Sequence, residues 1–332
     1  MKIDLLYVEE EILHHPRVQD IIKRFPSAHI VSCHRYTEIF NRNGQNFRLQ
    51  KKNPTFILAK KYGNFLHPIP NNYGIGAKKN YYFSHMLNCP FDCSYCFLQG
   101  MYRSAHYVFF VNFEDFQEEI NNHIENETVT FFSGYDGDSL ALEPFTGFLK
   151  SFLPFFANHP KAELELRTKS IQIRELLLQK PFSNCIVSFT LTPSLIADQL
   201  EKRAPPLKKR VEAMQKLQKK GWKIGLRFDP VIHIENFEFH YSELFQTVFS
   251  SLPKEAIHSV TLGAFRLPKT TYARMQKLRP EDKLLSLCSE SENSLMTFEK
   301  SIEQKLLSFC QNAILSYIEK KKVFLCQPID PS

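Results

Sequence analysis

A chain of 332 residues is long enough to bury a full-size core. With 43% hydrophobic and 23% charged residues it has the composition of a soluble globular protein, and no apolar run nears the roughly 20 residues of a membrane span, so no membrane partner is expected. The formal net charge of +7, concentrated in clusters such as Lys208-Lys209-Arg210 and Lys320-Lys321-Lys322, favours polyanionic partners through counterion release, although a solvated lysine-rich surface has the same composition.

Met1-Lys2-Ile3-Asp4 runs into acidic residues without a signal-peptide pattern. A cytoplasmic, reducing location is therefore expected, in which the eight cysteines stay thiols or bind metal. Residues 1–79 read as a small α/β layer, with short strands at Ile3–Val8 and His29–Val31 and a helix over Pro16–Arg24. From about residue 80 the pattern alternates. Apolar, β-rich stretches fall at Tyr81–Leu87, Thr128–Phe132, Glu163–Thr168, Cys185–Leu191, Lys223–Asp229 and Ser259–Ala264. Helix-like segments lie between them at Phe113–Ile124, Phe145–Phe156, Ile171–Gln179, Leu207–Lys220 and Phe239–Leu252. The fourth has Pro205-Pro206 before its start and Gly221 just past its end, the expected punctuation. Six strand–helix units in a row imply a parallel sheet over 80–265, too few for a closed eight-unit barrel. Residues 266–332 form a C-terminal extension with a helix over Thr297–Lys320 and a short strand at Val323–Leu325; the helix is expected over the substrate face.

Just after the first strand comes Cys89-Pro90-Phe91-Asp92-Cys93-Ser94-Tyr95-Cys96, a C-x3-C-x2-C run. Thiolates hold iron–sulfur clusters, and three on one short loop can bind three irons of a [4Fe–4S] cube while leaving the fourth open. Structural zinc, with His85 as a fourth ligand, is the competing reading; zinc sites usually pair two distant C-x2-4-C or H-x3-5-H elements, and no second pair is present. Three cysteines this close cannot all pair as disulfides. Ligands of parallel α/β folds bind at the C-terminal ends of the strands, which is where this loop falls.

The run resembles the radical S-adenosylmethionine signature. That resemblance implies a partial (β/α)6 barrel, S-adenosylmethionine on the open iron, and one-electron cleavage of it to a 5′-deoxyadenosyl radical. Further stretches are similar to the spore photoproduct lyase family: Leu5-Leu6-Tyr7-Val8-Glu9, Tyr95-Cys96-Phe97-Leu98-Gln99, Val108–Phe113, Leu166-Arg167-Thr168-Lys169, Phe189-Thr190-Leu191-Thr192 and Phe265-Arg266-Leu267-Pro268-Lys269. The family resemblance implies hydrogen abstraction from a covalent dimer of two thymines in DNA, flipped out of the stack. It also implies an electron donor of flavodoxin or ferredoxin type. Carried over position by position, Cys89, Cys93 and Cys96 would bind the cluster, and Tyr95 would lie near the adenosyl group. Ser133, Gly134, Lys169 and Thr190 would contact the cofactor, and Arg266 a phosphate or thymine carbonyl. The family returns hydrogen through a cysteine just after the second strand and a tyrosine beside the third cluster cysteine. Here the strand ends Ser133-Gly134-Tyr135-Asp136, no cysteine occurs between Cys96 and Cys185, and the tyrosine position holds Phe97. Tyr135 and Tyr102 are the candidate substitutes. The alternatives are a radical enzyme of the same fold acting on another nucleoside or a peptide, and a non-catalytic nucleic-acid-binding protein with a structural metal.

Overall fold

The computed structural model describes residues 3–291 and 294–326; residues 1–2, 292–293 and 327–332, at the ends of and within the expected terminal regions, lie outside it. The larger of its two main sheets is a curled half-barrel whose seven parallel strands follow one another in sequence order: β1 (Lys79–Phe83), β2 (Val129–Ser133), β3 (Ala162–Thr168), β4 (Cys185–Thr190), β5 (Lys223–Val231), β6 (Ile257–Ala264) and β7 (Val323–Leu325). His67–Pro68 pairs antiparallel at the β1 edge. The helices that connect these strands cover one face. The helix Leu207–Lys220 lies within its expected bounds and stops at Gly221, where a φ of 107° suits a residue without Cβ.

The half-barrel has two unlike faces. Phe131, Leu164, Leu166, Val187, Phe189, Leu226, Phe228, Val260 and Leu262 point outward and join the main apolar core beneath the helices. The alternate residues point inward. Register places Arg167 beside Ser188, Ser188 beside Gly225 and Gly225 beside Ser259, so polar side chains line the interior. At its floor Ile75, Phe132 and Ile186 form a small separate apolar cluster. Between Phe132 and Ile186 in the same register, buried Glu165 receives an ion pair from Arg227 Nε at 2.5 Å, and Arg227 Nη2 donates to Ser259 Oγ at 2.9 Å. Strands of parallel sheets are usually apolar on both faces; a polar interior marks a lumen built to hold something.

The N-terminal sheet runs His29–Cys33, Leu5–Glu9, Phe56–Ala59, Tyr107–Phe110 and Met86–Leu87. Its last member corrects the first expected strand. Tyr81–Leu87 is not one strand: β1 ends at Phe83, and Met86–Leu87 crosses to pair antiparallel with Tyr107–Phe110. Cys89 thus follows a link between two sheets. The C-terminal helix runs over Lys300–Leu315 and packs against the helix Phe237–Ser250, with Phe309 5.6 Å from Phe237 and Lys305 3.0 Å from Glu238. It is the crossover that delivers β7 beside β6. The part of the extension that reaches the cysteine loop is instead the helix Lys269–Leu278. It lies so close to the short helix Leu98–Met101 that a Cβ on Gly100 would collide with Thr271 and Met275.

Candidate active site

The cysteine loop is tied down at each turn. Asn88 sits in the left-handed region (φ 70°) and donates from Nδ2 to the carbonyls of Ser104 and His106 at 2.8 and 2.7 Å. Lys51 Nζ donates to the Cys89 carbonyl. Asp92–Cys93 forms a two-residue antiparallel ladder with Glu201–Lys202, and the Ser94 N–H donates to the Leu200 carbonyl at 2.8 Å. Asp92 is held by Arg48 at 2.6 Å and Arg279 at 3.4 Å. All three thiols are free, with Cys93 buried and Cys89 and Cys96 half-buried. Burial pushes the Cys89 and Cys96 thiols up and the Cys93 thiol up to about 12, while the Lys51 and Lys169 ammoniums pull the other way. His85 is not offered to this loop. Its ring stacks 3.9 Å from Phe148, boxed by Phe109 and Phe113, and burial pulls it down to about 3. The fourth ligand on which the zinc reading rested is therefore elsewhere.

On the inner side of the loop a buried polar cluster converges on Glu201. Tyr95 donates its hydroxyl to Glu201, Thr192 Oγ1 donates at 3.0 Å, and Arg210 forms a close ion pair with it. Arg210 also donates to the carbonyls of Thr190 and Pro205, at 3.1 and 2.8 Å. Lys169 Nζ stands off at 3.9 Å from Glu201 and 5.3 Å from the Tyr95 ring centroid. Tyr95, Lys169 and Thr190 are thereby brought together. Glu201 and Arg210 had no motif to announce them.

The turn after β2 is built around Asp138. Its carboxylate accepts from Thr168 Oγ1 (2.6 Å), the Lys169 N–H (2.8 Å) and the N–H groups of Leu140 and Ala141 (3.0 and 2.9 Å). The turn is thus locked to the end of β3. Ser133 Oγ lies 2.8 Å from Ser139 Oγ and donates to the Glu165 carbonyl at 3.1 Å. Gly134 has φ 82°, and a Cβ there would meet Ser139 N at 2.9 Å and the Arg167 carbonyl at 3.0 Å.

The mouth of the lumen is aromatic and basic. Tyr135 is 47% exposed, stacks 4.5 Å from Tyr82 and lies 5.8 Å from Phe97; Tyr82 stacks in turn on His67 at 4.8 Å. Arg266 pairs with Asp229 at 3.3 Å, donates to the Ala264 carbonyl at 2.8 Å and covers Tyr73 at 5.3 Å. Its structural ion pair is therefore real, and it also faces the mouth. Cys326, just past β7, comes within electrostatic range of Asp229, Arg167 and Arg266. Tyr102 lies within electrostatic range of Tyr82 but does not open onto the mouth. It is buried, packs 5.0 Å from Phe40 and bonds through its hydroxyl to Asp136.

The sequence profile of the spore photoproduct lyase family matches residues 1–294. The chain belongs to that family. Among its relatives, spore photoproduct lyase of Bacillus subtilis (strain 168) is 24% identical over 291 residues, covering 84% of this chain and 83% of the relative. The Clostridium acetobutylicum spore photoproduct lyase is 24% identical over 287 residues, covering 83% and 82%. A spore photoproduct lyase variant solved with bound AdoMet and dinucleoside spore photoproduct superposes with TM-score 0.83 over 98% of both chains at 17% identity. A spore photoproduct lyase complexed with dinucleoside spore photoproduct gives 0.80 over 98% of both at 16%. As a spore photoproduct lyase family member the chain is a lyase, which sets aside the non-catalytic alternative. No helix among the described residues is long and apolar enough to cross a membrane.

The residues present fit a thiolate-bound cluster in their chemistry. Three thiols share one anchored loop, each within electrostatic range of another, and two ammoniums face them. Among the described residues no three His, Cys, Asp or Glu side chains are gathered as a ready-made metal shell. Lys169 fits an anionic ligand: its ammonium is largely buried yet makes no direct hydrogen bond among the described residues, which leaves its donors for a carboxylate.

Proposed function

We propose that this protein is a radical S-adenosylmethionine enzyme that reverses a thymine-dimer-type lesion in DNA. The observation that carries the reading is the juxtaposition of the three-thiol loop with Lys169, at the same end of the half-barrel as the Tyr135–Arg266 mouth. Cys89, Cys93 and Cys96 would hold a [4Fe–4S] cluster. Lys169, with Thr190 and the Ser133–Gly134 turn, would hold the methionine end of S-adenosylmethionine. When bound, the cluster supplies the electron that cleaves S-adenosylmethionine to a radical able to take hydrogen from the lesion.

The chain's own residues do the rest. The Lys169 ammonium supplies a point charge to a carboxylate. The Ser133 hydroxyl is already bonded inside the protein, so its contribution is to shape the turn. Tyr95 braces the loop from below by its bond to Glu201. Arg266, oriented by Asp229, presents donors to a phosphate or a thymine carbonyl. Tyr135 is the proposed source of the returned hydrogen, because its phenol stands at the mouth whereas that of Tyr102 is committed to Asp136. The +7 chain favours DNA as a partner.

The test is anaerobic reconstitution with iron and sulfide, followed by dithionite and S-adenosylmethionine, with and without a dinucleoside lesion. The expected result is thiolate-bound iron, release of 5′-deoxyadenosine and conversion of the lesion to two thymines. Protein that binds zinc but no iron, or that yields no 5′-deoxyadenosine, would reject the proposal. A second reading keeps the radical chemistry but changes the substrate to another nucleoside or a peptide. It is favoured by Phe97 and by the lack of any cysteine from 97 to 184. Deuterium passing into 5′-deoxyadenosine from one candidate substrate and not another decides between them.

A further inference from the structure

Outside the lumen, a strongly basic hollow lies against the back of the cysteine loop. It has a volume of about 210 Å³ and is lined by Arg48, Leu49, Lys51, Lys52, Asp92 and Arg203. A second hollow of about 270 Å³ shares Arg203 and adds Lys202 beside it. The two flank the short ladder in which Lys202 pairs with Asp92 and Glu201 with Cys93. Four cations thus line the first hollow against one acid, and that acid is a residue of the cysteine loop already held by Arg48 and Arg279. Lys52, Lys202 and Arg203 are all exposed; the second hollow also carries Asp198 and Glu201, the latter engaged by Arg210, so the excess positive charge is concentrated in the first. In their midst Leu49 is 63% exposed.

We propose that this basic hollow is the docking site of a small acidic electron-carrier protein, which delivers the single electron the cysteine loop needs. The inference rests on the functional reading above. Three features argue for this occupant. First, an electron must cross from one protein to another, and transfer falls steeply with distance. Here the surface is separated from Cys93 by one ladder pair and by the Ser94 N–H to Leu200 carbonyl bond of 2.8 Å. Second, a basic patch speeds encounter with an acidic partner and orients it. Third, an exposed leucine within a ring of cations suits a protein surface with an apolar centre and a polar rim. A DNA backbone, with only its sugar carbons between phosphates, offers it less apolar surface than a protein does.

The experiment uses the reconstituted, oxygen-free enzyme with purified flavodoxin as the probe. Flavodoxin affinity is read by fluorescence anisotropy at low and high salt. 5′-Deoxyadenosine formation is measured with reduced flavodoxin and, separately, with dithionite, and lesion-DNA affinity alongside. The variants are Lys52→Glu with Lys202→Glu, and Leu49→Asp. The double charge reversal is expected to weaken flavodoxin binding roughly tenfold or more and to flatten its salt dependence. Dithionite-driven cleavage should stay within about twofold of wild type, since no reacting group is altered, and DNA affinity should fall less than flavodoxin affinity, by no more than the change in net charge from +7 to +3 brings through general electrostatics. Leu49→Asp is expected to weaken flavodoxin alone. Wild-type protein that does not bind flavodoxin, variants that bind it unchanged, or a loss confined to DNA affinity would overturn the proposal, the last by showing a nucleic-acid surface. Failure of wild-type cleavage under dithionite would instead overturn the functional reading, while the anisotropy would still report on the surface.

Discussion

At the scale of single residues the most consequential group is Glu201. Its carboxylate binds Tyr95, Thr192 and Arg210 in the interior, and its backbone pairs with Cys93. Replacing it by alanine leaves the Arg210 guanidinium, 1% exposed, without its counter-charge. Glu201→Ala is therefore expected to lose about 3–5 kcal/mol of stability in urea unfolding, and a loss below 1 kcal/mol would show that water replaces the carboxylate. Gly134 is constrained by its φ of 82° and by the nearness of Ser139 N and the Arg167 carbonyl. Gly134→Ala should cost about 1–3 kcal/mol in the same assay. Tyr135→Phe is expected to leave 5′-deoxyadenosine formation in place while lesion repair falls, with abstracted hydrogen no longer returned. Tyr102→Phe should change neither ratio. If Cys326→Ala rather than Tyr135→Phe uncouples the two products, the role passes to that thiol. The cysteines were legible because their chemistry is written in local spacing. Glu201 was not, because its meaning comes from a partner 106 residues away.

At the scale of elements, β3 shows what alternation can reveal. In Ala162-Glu163-Leu164-Glu165-Leu166-Arg167-Thr168 the apolar residues face the helices and the charged ones face the lumen. Read for period two, the same letters announce a polar interior; read only as a β-rich stretch, they announce a strand. The continuous run Tyr81–Leu87 misled for the opposite reason. Nothing in its hydropathy marks the point where the chain leaves one sheet for another. The helix Phe148–Ala157 carries a testable titration. Glu143 accepts the Leu149 N–H at 3.2 and 3.1 Å, and burial raises its carboxyl to about 8 from an ordinary 4.5. The fold favours the protonated form. Its contribution is complete below pH 4.5 and is lost as pH rises toward 8, so stability should decline across that window. Denaturation midpoints at pH 5 and pH 8 should converge in Glu143→Gln, and an undiminished difference would assign the slope to other groups.

At the scale of the whole molecule the charge of +7 makes a prediction about DNA. Log affinity should fall steeply and linearly with log salt concentration, by about 0.9 per phosphate neutralised on a duplex. Salt-independent binding would show that the lysines are merely solvated. By itself the sequence determined the strand–helix alternation, the thiol triplet and the family, since each depends on residues close together in the chain or on patterns repeated along it. Tertiary structure alone decided what surrounds those thiols. Parallel strands in sequence order bring Lys169, Glu201 and Arg210 to one point, and the crossover into β7 carries Cys326 to the Tyr135–Arg266 mouth. The short ladder at Cys93 exposes a basic flank at the back of the loop. Charges and thiols so far apart in sequence meet only because the sheet curls, and curvature is a property of packed strands that no local run of residues contains.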